Sequence, residues 1–300
     1  MYDILIIGGG PAGLTAAIYG ARAGLDVAVL EKTAAGGQIT STHRLENYPG
    51  FAEGVAGPEF SQILLEQAQR FGAAYIADEV MDIQLDGSEK QVTGKLGTYS
   101  AKTVILAMGA SPRKLGIPGE KEFTGMGVSY CATCDGAFFK GLRVAVVGGG
   151  DTAFEDALYL ADLATEVHII HRRDSFRAQQ YLVDKAKKKT NIFFETCKVP
   201  LEIRGGFDLE SILLRDVNTG EEKELAVEGV FVAVGQQPDT AFLQGKVLLD
   251  AAGYIVAGED TLTDVAGVYA AGDARTKTLR QVVTAAADGA VAATAAYHSL

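Results

Sequence analysis

A chain of 300 residues, 48% of them hydrophobic, is long enough for about two domains with cores of their own. Its net charge of −11 argues against a general nucleic-acid binder, no apolar run approaches the roughly 18 residues of a membrane span, and three cysteines do not make a disulfide scaffold. The opening "MYDILIIGGGPAGLTAAIYGA" has no positive leading segment, carries Asp3 and is threaded with glycines, so it predicts the first strand and helix of a cytoplasmic domain rather than a signal peptide.

The apolar run "YDILII" predicts a strand, "PAGLTAAIYGARAGL" a helix and "DVAVLE" a second strand. Between the first two, Gly8, Gly10 and Gly13 fall in the G-x-G-x-x-G pattern, with Pro11 and Ala12 inside the same turn. Gly8 permits the tight turn, Gly10 lets the backbone approach a pyrophosphate, and Gly13 lets the helix lie close to the strand. Glu31 ends the second strand, where an acid accepts hydrogen bonds from ribose hydroxyls, so this module predicts a nucleotide with a free 2′-hydroxyl such as FAD or NAD.

Next comes "CATCD", with Cys131, Cys134 and Asp135. The pair is a staple, half of a metal site or a redox couple. Zinc needs two further ligands, and no second Cys or His pair stands at ligand spacing. A staple across two residues closes almost no loop. The redox couple needs the fewest assumptions, since a neighbouring thiol and local amides favour the thiolate that attacks a disulfide. Asp135 is then a candidate proton donor or acceptor, with a turn or N-cap aspartate as the alternative. Phe138 and Phe139 follow, either a docking patch for a protein substrate or core packing.

The nucleotide pattern recurs in "RVAVVGGGDTAFEDALYLADLATEVHIIH", with Gly148, Gly150 and Ala153 around Asp151 and Thr152. Gly8 to Glu31 and Gly148 to His171 both span 23 residues, so His171 stands where the first copy has its acid. "HRRDSFR" adds Arg172, Arg173 and Arg177, whose guanidinium forks suit a 2′-phosphate, and this favours NADP(H) over a merely solvated basic face. Cys197 lies on an apolar strand-like run and reads as a buried structural thiol; His43, His168 and His298 show no partner arrangement and are assigned no chemistry. Toward the C-terminus a strand ends at Gly272 and Asp273, ahead of a long small-residue helix that begins near Arg280. An acid at that place binds a flavin's polyol arm or caps a helix.

These segments together resemble the low-molecular-weight thioredoxin reductases of the pyridine nucleotide-disulfide oxidoreductase family. The likeness is carried by "GGGPAGLTAAIYGARAG", "GGQITSTHRLENYPGF", "CATCDG", "GGGDTAFEDALYL", "HRRDSFRA" and "GVYAAGD…RQVVTAAADG", and runs nearly end to end. It implies an α/β homodimer of two Rossmann-like three-layer nucleotide-binding domains, with the NADPH domain inserted in the FAD domain. Electrons would pass from NADPH through FAD to the Cys pair and on to thioredoxin or a thioredoxin-like protein, with the insert rotating between half-reactions.

On this sequence the resemblance places flavin contacts at Glu31, Gly36, Gly37, Gln38, Asn47, Asp273, Arg280 and Gln281. It assigns Cys134 to the flavin, Cys131 to the partner disulfide and Asp135 to acid–base work. The chain departs from the common pattern at Met108, Ala137 and Leu279. Pro- and Gly-rich stretches put the crossovers so that residues 1–113 and 245–300 form the FAD domain and 114–244 the insert. The rivals are a flavin-dependent disulfide reductase serving another dithiol protein or donor, a ferredoxin–NADP reductase, which has no need of "CATCD", and a nucleotide sensor, which has little reason to combine an Arg cluster with a Cys pair.

Overall fold

The computed structural model describes residues 1–42 and 44–300, so His43 lies outside the described residues. Contacts divide the chain into two compact units, Met1–Ser111 with Gln237–Leu300, and Pro112–Gln236.

In the first unit the strands Ala74–Ala77, Val27–Glu31, Tyr2–Ile7, Thr98–Leu106 and Val268–Ala270 are hydrogen-bonded in that order, all parallel. Ile4 lies opposite Val27 on one side and Thr103 on the other. A strand buried on both faces is a continuous apolar run, and "ILII" divides by its period of two. Ile4 and Ile6 point into a core shared with the helices Pro11–Arg22, Gly57–Arg70 and Val282–Ser299. Leu5 and Ile7 point the other way, toward Ile83 and Val92 of an antiparallel hairpin and toward Leu243, Val247 and Ile255. Each such side chain contributes about 1.5–3 kcal/mol by leaving water.

The sequence reading placed the return from the insert near 244–245; the burial of Leu243 and Val247 in the first unit puts that return, by contacts, at Gln237. The last helix is rich in small residues for a packing reason. A Cβ at Gly289 would sit 2.1 Å from the carbonyl oxygen of Ala12, so this helix touches the first one at backbone distance.

The second unit repeats the plan. Ile192–Thr196, Glu166–His171, Arg143–Val147, Gly229–Val232 and Val128–Ser129 form a five-stranded parallel sheet. Helices Asp151–Leu160 and Gln180–Lys187 cover one face through Phe154, Leu160, Leu182 and Val183. The other face is covered by an antiparallel sheet of Lys198–Gly205, Leu209–Asp216 and Glu222–Ala226.

Cys197 corrects the sequence reading: it lies on no strand. It is half-buried at the turn where the chain leaves the parallel sheet for the antiparallel layer, with φ 55°. Among the described residues no helix is long and apolar enough to cross a membrane, and no cluster of His, Cys, Asp and Glu is placed to hold a metal.

Candidate functional site

The first glycine turn leaves no room for a side chain at Gly8 or Gly13. Gly8 has φ +107°, and a Cβ there would meet the Ala107 carbonyl oxygen at 2.3 Å; one at Gly13 would stand 1.9 Å from the carbonyl oxygen of Gly8. The helix that follows opens at Pro11 with no side-chain cap and no acid in its first turn, so the positive end of its dipole is left for an external anion. Glu31 is buried at the end of its strand. Its Oε2 accepts the Gly9 amide at 2.7 Å, and Oε1 accepts the amide and hydroxyl of Thr33 at 2.8 and 2.9 Å.

Two other predicted residues, Gly36 and Gly37, reach this turn. The Gly36 amide donates to the Gly9 carbonyl at 2.7 Å, and a Cβ at Gly37 would lie 3.5 Å from Cα of Gly10. Both glycines adopt positive φ, and they begin the short turn that carries Gln38. From the C-terminal segment, Gln281 caps the last helix and its Oε1 accepts Asn47 Nδ2 at 3.0 Å. The Arg280 guanidinium lies 4.3 Å from the centre of the Tyr254 ring, with Nε buried and unpaired.

Asp273 is not the helix cap that the sequence left open, because Gln281 fills that role. Its Oδ1 is buried without a partner, and burial holds its carboxyl above the usual range against the pull of Lys277 and Arg280. An unpaired buried acceptor and donor beside a glycine cradle fit FAD, whose ribityl hydroxyls and pyrophosphate would satisfy them.

Sequence reasoning missed what holds this loop. Asp288 accepts the Gly272 amide at 2.9 Å, Arg275 Nε and Nη2 at 2.9 and 2.8 Å, and Lys277 Nζ at 2.8 Å. Arg275 is 2% exposed. Burial pushes the Asp288 carboxyl up, but the bonds from Arg275 and Lys277 prevail and hold it below its ordinary value. A lone acid in an alanine-rich helix was the available signal.

The second turn is built differently. A Cβ at Gly149 would overlap the His171 ring, 2.3 Å from Nδ1, while one at Gly150 would meet nothing within 4 Å. His171 is buried, and desolvation together with Arg172, Arg173 and Arg177 lowers its pKa, so the ring is neutral near pH 7. Its Nε2 has no hydrogen-bond partner. The three arginines are exposed around it, and the Arg177 amide donates to the Gly149 carbonyl at 2.8 Å, fixing the basic rim to the glycine turn. Asp151 opens the helix before Thr152 and Ala153 and accepts the backbone and side-chain nitrogens of Gln179 at 2.7 and 3.0 Å. The open approach at Gly150 and the guanidinium rim fit the pyrophosphate and 2′-phosphate of NADPH.

In the same unit Cys131 and Cys134 form a disulfide across one helical turn, Cα to Cα 5.3 Å. Asp135 makes no side-chain cap; its Oδ2 accepts the Ser129 hydroxyl at 2.6 Å. That hydroxyl oxygen in turn accepts the Cys131 amide at 3.1 Å. Burial raises the Asp135 carboxyl above the usual carboxylate range, opposed by Ser129. Ser129 therefore belongs to the site, though it was not read from the sequence. Of the two phenylalanines, Phe139 is core, edge-on to Phe231 at 5.0 Å, whereas Phe138 is 44% exposed.

A family model described as pyridine nucleotide-disulphide oxidoreductase matches residues 2–289. The chain is 48% identical to a thioredoxin reductase of Peptoclostridium acidaminophilum over 302 residues, covering 99% of this chain and 96% of that one. It is 46% identical to a bifunctional thioredoxin reductase/thioredoxin of Mycobacterium leprae over 98% of this chain and 64% of that protein. The crystal structure of thioredoxin reductase from Streptococcus pyogenes is similar at a TM-score of 0.94 and 44% identity, covering 100% of this chain and 98% of that one.

Proposed function

The chain belongs to the pyridine nucleotide-disulphide oxidoreductase family, and from that premise we propose that it is an NADPH-dependent flavoprotein that reduces the disulfide of thioredoxin. The observation that carries this reading is the Cys131–Cys134 disulfide, with the half-buried Asp135 carboxyl beside it, in the same unit as a glycine turn rimmed by arginines. When bound, NADPH and FAD supply the hydride and the two-electron relay that opens the disulfide.

Gly8, Gly10, Pro11, Ala12 and Gly13 cradle the flavin pyrophosphate, and Glu31 receives the ribose hydroxyls. Gly36, Gly37, Gln38, Asn47, Gly272, Asp273, Arg280 and Gln281 close around the rest of the flavin. Gly148, Gly150, Asp151, Thr152 and Ala153 form the NADPH turn, with His171, Arg172, Arg173 and Arg177 on the 2′-phosphate. After reduction, the Cys131 thiolate attacks one sulfur of the thioredoxin disulfide, forming a mixed disulfide and releasing the other sulfur as a thiolate. Cys134 then attacks Sγ of Cys131, restoring the intramolecular disulfide and releasing the second thioredoxin thiolate. Asp135 exchanges the proton that these steps require, and Ser129 holds the acid toward the pair.

The insert carries both the NADPH turn and the cysteine pair. It therefore alternates between two orientations about its crossovers, presenting one group and then the other to the flavin unit. The protein works in the cytoplasm as a homodimer, and Phe138 contributes to docking thioredoxin. Anaerobic mixing tests the reading: NADPH bleaches the flavin absorbance, and oxidised thioredoxin restores it. A flavin that stays bleached after thioredoxin is added rules out this acceptor.

A further inference from the structure

Glu120 is 4% exposed, and its carboxylate takes three hydrogen bonds. Leu115 N donates to Oε1 and Gly116 N to Oε2, each at 2.8 Å, and the Tyr130 hydroxyl donates to Oε1 at 2.9 Å. Leu115 and Gly116 belong to the backbone that leads into the insert from its first residue, Pro112; Tyr130 directly precedes Cys131. Burial first, and then the bond to Glu120, push the Tyr130 hydroxyl up to about 12.

The base of this arrangement is fixed as well. Ile203 N donates to the Pro118 carbonyl at 3.0 Å, and at Gly119, with φ +83°, a Cβ would lie 2.0 Å from the Ile203 carbonyl oxygen. The short segment before the disulfide is thus held on two sides, Ser129 by Asp135 and Tyr130 by Glu120. A carboxylate suits the place because it only accepts hydrogen bonds. A glutamine would turn an NH₂ group toward one of three donors.

We propose that Glu120 is a positioning residue for the redox pair. Through Tyr130 it locks Cys131 to the crossover backbone, so that the pair and the crossover move as one piece. The inference rests on the reading of Cys131–Cys134 as the redox couple.

The test uses the full-length, FAD-loaded protein with Tyr130→Phe, Glu120→Gln and the double variant. Two quantities are measured: amide hydrogen exchange at Leu115 and Gly116, and the fraction of Cys131–Cys134 disulfide at fixed ratios of reduced to oxidised glutathione. Tyr130→Phe touches neither amide, yet it is expected to speed exchange at both about tenfold and to shift the glutathione ratio at half-oxidation by at least threefold. Glu120→Gln does both at least as strongly, and the double variant does no more than Glu120→Gln.

Exchange within twofold of wild type in Tyr130→Phe, or additive effects in the double variant, overturns the proposal. If Glu120→Gln does not fold, Tyr130→Phe alone decides. Coupling without thioredoxin turnover in the wild type would sink the functional reading alone. Turnover without coupling would sink this inference alone.

Discussion

The two glycine turns share one spacing and divide on what they hold. In the first, the Gly9 amide is bonded to Glu31, and the loop across from it is set by the buried network of Asp288, Arg275, Lys277 and Gly272. In the second, a neutral His171 lies under exposed arginines, and the local tie is Asp151 to Gln179 at the surface. Gly13 presses its helix onto Gly8, whereas the same position in the second copy tolerates the methyl group of Ala153. One backbone solution thus comes in two settings. A buried, over-determined cradle suits a cofactor that stays, and an open rim of solvated charge suits one that must leave each cycle.

Removing the buried network attacks that contrast most directly. Asp288→Ala leaves Arg275 and Lys277 without their shared partner and should cost about 3–5 kcal/mol in urea unfolding, with loss of FAD on gel filtration. Asp151→Ala, the surface tie of the other turn, should cost less than about 1 kcal/mol. Equal costs would erase the distinction.

Neutralising Arg172, Arg173 and Arg177 should raise the NADPH Kd by tenfold or more, since each charge-assisted bond is worth about 1.5–3 kcal/mol, and should leave NADH nearly unchanged. His171→Glu sharpens the point by giving the second turn the first one's acid, which repels the 2′-phosphate. Titration with both cofactors decides, and parallel losses would reduce the cluster to a solvated face.

Gly13→Ala forces a methyl group against a carbonyl oxygen and should destabilise by about 1–3 kcal/mol. Ala153→Gly should cost only about 1 kcal/mol of helix propensity, measured by thermal melts.

The smallest effect lies one turn further along the same helices, where the core residue Ala16 of the first corresponds to Asp156 of the second. Burial, and then Glu155, push the Asp156 carboxyl up to about 7. Raised above its unfolded value, it keeps its proton in the folded state over the window from about pH 4 to 7, so stability falls as pH rises through that window. Asp156→Asn should match wild type at pH 4 and exceed it at pH 8 by on the order of 1 kcal/mol after solvent screening. A flat difference between the two pH values would show that Asp156 ionises at no cost.

What the sequence revealed was local or periodic. Both strand–turn–helix modules, the matched places of Glu31 and His171, and the Cys pair follow from spacing and chemistry within about 30 residues. What it hid depends on contacts that no period announces. Ser129 reaches Asp135 only because a helical turn folds back on its strand, and Glu120 meets Tyr130 across a loop. Cys197 reads as strand because apolar residues recur within a few positions on both sides, yet the change of layer falls on that residue. Asp273 reads from sequence as either a cap or a ligand, and which residue caps the last helix depends on a side chain, Gln281, that no local pattern singles out.

The ends of the insert also bear on how such a chain can be assembled. Arg113 N donates to the Gly235 carbonyl at 2.9 Å, so entry and exit lie side by side. Loop-closure entropy grows only with the logarithm of length, so the host fold is nearly indifferent to what hangs between two adjacent points. The insert is in this sense a cassette. Cutting it out would leave the host two adjacent chain ends and an ordinary turn to close.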